Sequence, residues 1–299
     1  MDVLRALEPL ARYVEERRAG ERIAFVPTMG ALHDGHGACV ALARSVARAR
    51  VVCSIFVNPS QFGPHEDVTR YPRTLDADLA KLEAWGCDAV FVPSLEAMYP
   101  EAQRAWVSVD AVSEPLCGRF RPGHFRAVAT VVAKLFHLVR ADVAVFGQKD
   151  AQQALVIRAM VRDLAFPVRL LVARTVREAD GLAMSSRNSY LDPSERAQAA
   201  ALYRALLAAR SELEAGERGA RAIERAATEV LRGAGIDRID YVEARRARDL
   251  SALDPLEGHV ILALAAWVGR ARLIDNMVFD IDGRTVASDV ALFGNDAIE

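Results

Sequence analysis

Two imidazoles sit three residues apart in Met29-Gly30-Ala31-Leu32-His33-Asp34-Gly35-His36, directly after the apolar run Ile23-Ala24-Phe25-Val26. The pattern predicts a strand that passes through a glycine-bearing turn into a helix, with both histidines in the first helical turn. There, unpaired backbone N–H groups and the positive end of the helix dipole favour an anion. Positions three apart share a helix face, so His33 and His36 can converge on one phosphate. Exposed or capping histidines would give the same spacing, as would two ligands of a zinc ion, although zinc would want further ligands close by. The turn has neither the G-x-G-x-x-G of a nicotinamide-binding loop nor the G-x-x-x-x-G-K-[ST] of a P-loop, which weakens the dehydrogenase and kinase readings.

Three other segments carry polar groups at or near the ends of apolar runs. Residues 51–57 lead into Asn58-Pro59-Ser60-Gln61-Phe62, which places amides at the mouth of a strand. Residues 142–146 lead into Gly147-Gln148-Lys149-Asp150-Ala151-Gln152-Gln153, where a lysine suits phosphate and a carboxylate suits ribose hydroxyls. Met184-Ser185-Ser186-Arg187-Asn188 sets two hydroxyls beside a guanidinium, a combination suited to phosphate oxygens. An Asn-Pro turn, a helix cap with a solvated lysine and a capping loop are the plain alternatives, and each segment alone leaves them open.

The elements that must position these groups alternate along the first half. Strand-like runs at 22–26, 51–57, 87–93, 142–146 and 168–176 are separated by helix-like stretches at 35–48, 76–85, 127–139 and 152–164. Such alternation predicts a parallel sheet covered on both faces, with ligands beyond the carboxyl ends of its strands. After about Thr175, helices near 193–213 and 220–233 precede strands near 239–244, 259–267 and 271–279, which predicts a small α+β domain. The stretch 280–299 is mixed and turn-rich and receives no assignment.

Composition narrows the partners. The 299 residues carry 38 Lys+Arg against 40 Asp+Glu, a net charge of −2, which gives no hint of nucleic-acid or bilayer binding. Positive charge for a phosphate must therefore be local. Cys39, Cys53, Cys87 and Cys117 form no C-x-x-C pair and read as small buried hydrophobes of a reducing compartment. With no signal-peptide pattern and no apolar run near the ~20 residues of a membrane span, a cytoplasmic protein is expected.

Taken together, the segments VPTMGALHDGH (26–36), SIFVNPSQF (54–62), YPRTLDADL (71–79), RPGHF (121–125), FGQKDAQQ (146–153), TVREADGLAMSSRNSYL (175–191) and ARLIDN (271–276) carry a specific resemblance. The chain resembles the pantothenate synthetase (pantoate–β-alanine ligase) family, within the wider H-x-G-H group of nucleotidyltransferases. The resemblance implies a doubly wound, Rossmann-like ATP- and pantoate-binding domain over 1–175 and a smaller C-terminal α+β lid over 176–282. Residues 283–299 would remain a tail of unknown structure. It also implies a homodimer and an ATP-dependent condensation of (R)-pantoate with β-alanine, giving pantothenate, AMP and pyrophosphate through pantoyl adenylate, with Mg²⁺ accompanying ATP. Another H-x-G-H adenylyltransferase and a non-catalytic nucleotide-binding protein are the rival readings.

Residue roles carry over from the same resemblance. ATP would meet Met29, Gly30, Ala31, Leu32, His33, Asp34, Gly35 and His36, with His36 as the family's proton donor. It would also meet Gly147, Gln148, Lys149, Asp150, Val176, Met184, Ser185, Ser186 and Arg187. His36, His33, Lys149 and Arg187 would be the catalytic set; Gln61 and Gln153 would hold pantoate, and Gln61 also β-alanine. A neutral amide suits a nucleophilic carboxylate, which a tightly paired lysine would blunt. The chain departs from the commonest family pattern at Gly37, Ser60 and Ala151, positions that bear on affinity and rate more than on reaction type.

Overall fold

The computed structural model describes residues 1–17, 20–64 and 66–293. Its first half alternates as the sequence predicts: β1 (Asp2–Leu4), α1 (Leu7–Arg17), β2 (Arg22–Thr28), α2 (Asp34–Arg44), β3 (Ala49–Ile55), α3 (Leu75–Ala84), β4 (Ala89–Phe91), α4 (Leu95–Met98), α5 (Cys117–Phe120), α6 (His124–Val139), β5 (Val143–Gly147), α7 (Ala151–Asp163) and β6 (Arg169–Ala173). The six strands form one parallel sheet in the order β1-β4-β3-β2-β5-β6. The chain steps from β2 outward to β3 and β4, then returns to place β5 on the other side of β2. The crevice at the carboxyl ends of β2 and β5 is therefore the topological switch point, where ligands of such sheets bind.

Burial explains the apolar runs. One sheet face packs on α1, α6 and α7 through Phe25, Phe91, Phe136 and Ile157; the other packs on α2 and α3 through Val26, Val40, Val51 and Leu82. A sheet covered on both faces needs apolar residues at successive positions, not only at alternate ones.

The second half holds α8 (Pro193–Ala199), α9 (Ala201–Glu214), α10 (Ala220–Gly233) and an antiparallel sheet of β7 (Ile239–Arg246), β8 (Gly258–Val268), β9 (Ala271–Asp282) and β10 (Thr285–Ser288). The fold class is the expected one, a Rossmann-like parallel sheet followed by a smaller α+β unit. The helix expected over 193–213 is two helices broken at Ala200; Asp192 caps the first, accepting from Ser194 and Glu195 N–H, with Pro193 at its first position. Strand β8 is buried on both sides. Ile261, Ala263 and Ala265 join the core of the first unit, whereas Val260, Leu262, Leu264 and Ala266 face the core of the second.

Five elements leave no clear mark in the sequence pattern, two of which, α4 and α5, are four-residue helices too short to show a period. Strand β1 is three residues long, too short to show a period, and α1 presents only Leu10, Tyr13 and Val14 to the core. Strand β10 falls in the stretch expected to be a tail of unknown structure, where it pairs antiparallel with β9. Beyond it Leu292 and Phe293 are buried in the core of the first unit. Residues 294–299 of that tail lie outside the described residues. The Gly37 departure has a packing cause: a Cβ there would lie 2.9 Å from the Trp85 ring, which fills the space. Ser60 directs its hydroxyl to Asn58 Oδ1 at 2.8 Å, and Ala151 is buried at the start of α7.

Candidate active site

The histidine-bearing turn follows β2. Gly30 has φ +81° and Ala31 φ 51°, so the main chain passes through the left-handed region twice in succession. What holds it there is Asp78 on α3, a buried carboxylate that accepts from Ala31 N–H at 2.9 Å and Leu32 N–H at 2.8 Å. Lys81, one turn further along α3, donates to the Leu32 carbonyl at 2.5 Å. Asp78 lies within the segment YPRTLDADL that carries the family resemblance, although the sequence gives it no role; Lys81 lies just beyond that segment.

His33 caps α2, and its backbone N–H donates to His36 Nδ1 at 3.2 Å; the two ring centroids lie 4.2 Å apart. Because Nδ1 accepts, the neutral His36 ring carries its proton on Nε2. Burial, then the neighbouring His33 and the charge of Lys149, push His36 down to about 3; burial and Lys149 push His33 down to about 4. Both imidazoles are neutral at pH 7 in the ligand-free protein.

Across the switch point, β5 ends in the turn Gly147–Asp150. Asn276 on β9 donates to the carbonyls of Gln148 and Lys149, 2.9 Å each, while Lys149 Nζ stands 4.0 Å from Asp150 Oδ2. Beside Asn276, the buried Asp275 receives a two-pronged ion pair from Arg177 at 2.6 and 3.1 Å. Met184 N–H donates to the Val176 carbonyl at 2.9 Å, which brings 184–187 beside the cleft. Arg187 is bidentate to Asp67 at 3.0 and 2.9 Å, and Ser186 donates to Tyr71 OH at 3.2 Å. The Arg187 guanidinium thus already has one carboxylate partner, which the sequence does not suggest.

The two amides are held differently. Gln61 donates to Met29 Sδ at 2.8 Å and accepts weakly from Asn58 at 3.4 Å. Gln153 has no side-chain hydrogen bond among the described residues, whereas its neighbour Gln152 is fully engaged with Cys117 N–H and the carbonyls of Val112 and Pro115. Met29, His33, His36, Gln61, Lys149 and Gln153 line one cleft of about 210 Å³, together with Gly35, Gly147, Asp150, Val176, Met184, Ser185, Ser186 and Arg187. A cavity of about 600 Å³, lined by loops and helices of the first half and by β7–β9, shares Lys149, Asp150, Gln153, Ser185 and Arg187 with it. Five expected ATP contacts are not brought in. Gly30, Ala31, Leu32 and Asp34 shape the turn without lining either space, and the Gln148 side chain faces the C-terminal segment instead.

Below the cleft, Arg121 donates to His124 Nε2 at 3.0 Å, so His124 Nδ1–H donates to the Gln61 carbonyl at 2.8 Å. Burial, then Arg121, pushes His124 down to about 4. An imidazole that stays neutral in the fold while the unfolded chain protonates near pH 6.5 contributes stability that is present above that pH and lost below it. The unfolding free energy should therefore fall as pH drops from 6.5 towards 4, by up to about 1.4 kcal/mol per pH unit for each such histidine. Urea titrations of His124→Gln should show a shallower fall; an unchanged slope would contradict this origin.

A family model described as Pantoate-beta-alanine ligase matches residues 2–278. The chain belongs to the pantoate–β-alanine ligase family. It is accordingly an acid–amine ligase. A pantothenate synthetase of Carboxydothermus hydrogenoformans is 50% identical over 278 residues, covering 92% of this chain and 98% of the relative. One from Moorella thermoacetica is 49% identical over 285 residues, covering 94% and 100%. The crystal structure of pantothenate synthetase from Thermus thermophilus superposes with a TM-score of 0.85 at 46% identity, covering 92% of this chain and 98% of that one. A pantoate–β-alanine ligase from Francisella tularensis, complexed with beta-gamma ATP and β-alanine, gives 0.75 at 29% identity, covering 92% and 97%.

Proposed function

We propose that this ligase condenses (R)-pantoate with β-alanine through pantoyl adenylate, converting ATP to AMP and pyrophosphate. The observation that carries the reading is the meeting, in one cleft, of a neutral histidine pair, Lys149 and two amides at the β2/β5 switch point. The nucleotide and amine of the Francisella complex agree with it. A pantoate carboxylate oxygen attacks the α-phosphorus; the new P–O bond forms as the α–β bridging bond breaks and pyrophosphate departs. The carboxylate needs no base, since its ordinary pKa is about 4. What the site must supply is alignment and charge neutralisation.

Lys149 and Arg187 supply the cations, and Ser185 and Ser186 the hydroxyl donors. His36 Nε2–H supplies a hydrogen bond without a charge that would have to be desolvated first, and His33 lines the same wall. Met29 and Gly35 flank the phosphates, Gly147 and Asp150 take the ribose, and Val176 with Met184 borders the adenine. Gln153 and Gln61 hold pantoate, and Gln61 faces β-alanine in the second step, when the amine forms the C–N bond and AMP leaves. Mg²⁺ arrives with ATP. Such an ion would be held chiefly by the substrate phosphates and water, with at most one or two protein oxygens. In this reading residues 1–175 bind ATP and pantoate, 176–282 close over them to exclude water, and the protein works as a cytoplasmic homodimer.

Purified protein given ATP, Mg²⁺ and pantoate without β-alanine should release one pyrophosphate per site in a burst, and continue to turn over only when β-alanine is added. Pyrophosphate release that ignores pantoate would overturn the assigned acceptor.

A further inference from the structure

Gln148 stands in the middle of the Gly147–Asp150 turn, yet its side chain takes no part in the cleft. It is buried: its Oε1 accepts from Leu292 N–H at 3.1 Å and its Nε2 donates to the Val290 carbonyl at 3.1 Å. One amide thus reads both a donor and an acceptor of a segment 142 and 144 positions away in the chain. That segment is anchored independently. Val290 N–H donates to the Val278 carbonyl, His259 Nε2 lies 3.0 Å from the Leu292 carbonyl, and Arg158 stacks 4.7 Å over the Phe293 ring. The family match ends at residue 278, so this contact lies beyond the part that the family model describes.

We propose that residues 290–293 form a strap that sets the position of the Gly147–Asp150 turn through Gln148, and thereby aims Lys149 at the phosphates of ATP. Gln148 is a positioning residue, and so are Val290 and Leu292. The turn is gripped from two sides: Asn276 fixes its carbonyls from β9, and the strap fixes its buried side chain. Losing the strap frees one side only, so the turn persists but Lys149 is no longer confined. An effect on ATP binding, rather than on folding alone, follows from that geometry. The inference rests on reading Lys149 as a phosphate ligand.

Gln148→Met keeps the volume and removes both hydrogen bonds; Leu292→Pro removes the donor from the other side; His259→Ala, at a partly exposed position, loosens the strap more mildly. The first two should each raise KM for ATP about tenfold, as expected for loss of ordinary hydrogen bonds. His259→Ala should raise it about threefold. KM for β-alanine should stay within about twofold, and the Gln148→Met/Leu292→Pro double variant should be no worse than the poorer single one. A purely structural role predicts the opposite split, with a lower unfolding midpoint and active fraction but an unchanged KM for ATP, and that result overturns the strap. Lys149→Ala separates the premises. If it leaves KM for ATP unchanged, the reading of Lys149 fails and the inference with it. If it weakens ATP while Gln148→Met does not, the strap alone fails.

Discussion

His36→Ala is expected to slow pyrophosphate release in a single turnover by about 10²- to 10³-fold, the usual range for removing one aligned donor from a developing charge. The fold should be little affected, because the one hydrogen-bond partner of the His36 ring among the described residues is the His33 N–H, at the start of a helix. His33 N–H fixes which ring nitrogen carries the proton, and burial keeps the ring neutral. The rate should therefore not follow a pKa near 6.5 in the free enzyme. His36→Gln can return a donor near the Nε2 position and should recover part of the loss, which a purely steric role would not allow. A His36→Ala rate within threefold of wild type, measured by rapid quench, would remove the imidazole from the mechanism.

The sequence shows that two histidines share a face, but not their charge, because burial is set by residues far away in the chain. Lys149, which lowers both, is more than a hundred positions downstream. The same limit separates what is legible from what is not. Strands β2, β3 and β5 are legible because burial on both faces forces continuous apolar runs. The break at Ala200 and the strap at 290–293 have no such signature; the strap is defined by what Gln148 does across 144 positions. Gln152 and Gln153 are neighbours of one type, and only the structure separates the one that pins a loop from the one left facing the cleft. The Arg187–Asp67 pair likewise joins a motif visible in the sequence to a carboxylate that is not.

Asp78 is the clearest residue of this kind, and its removal carries the second large expected effect. On α3 its spacing looks like that of any solvated helical carboxylate, yet its side chain is buried against a turn 46 and 47 positions earlier. Asp78→Ala leaves the N–H groups of Ala31 and Leu32 without their acceptor, and Thr74 Oγ1, now 3.2 Å from the carboxylate, loses it as well. Each orphaned buried donor costs about 1–3 kcal/mol, so a stability loss of about 2–4 kcal/mol is expected by urea unfolding. Activity should fall further than stability explains. Ala31 holds φ 51°, a strained value for a residue with a Cβ, and the two Asp78 bonds oppose its relaxation. Once the turn relaxes, His33 and His36 shift, and a displacement of about 1 Å can cost about 10²-fold in rate. Asp78→Asn retains one acceptor oxygen but turns an NH₂ towards the other N–H, so it should fall between wild type and alanine in both measurements. Thr74→Ala removes only the 3.2 Å contact and should change each by less than about 1 kcal/mol. If Asp78→Ala lost stability while kcat/KM for ATP at folded-enzyme concentration stayed at the wild-type value, the carboxylate would be a structural cap and the shape of the histidine turn would have another source.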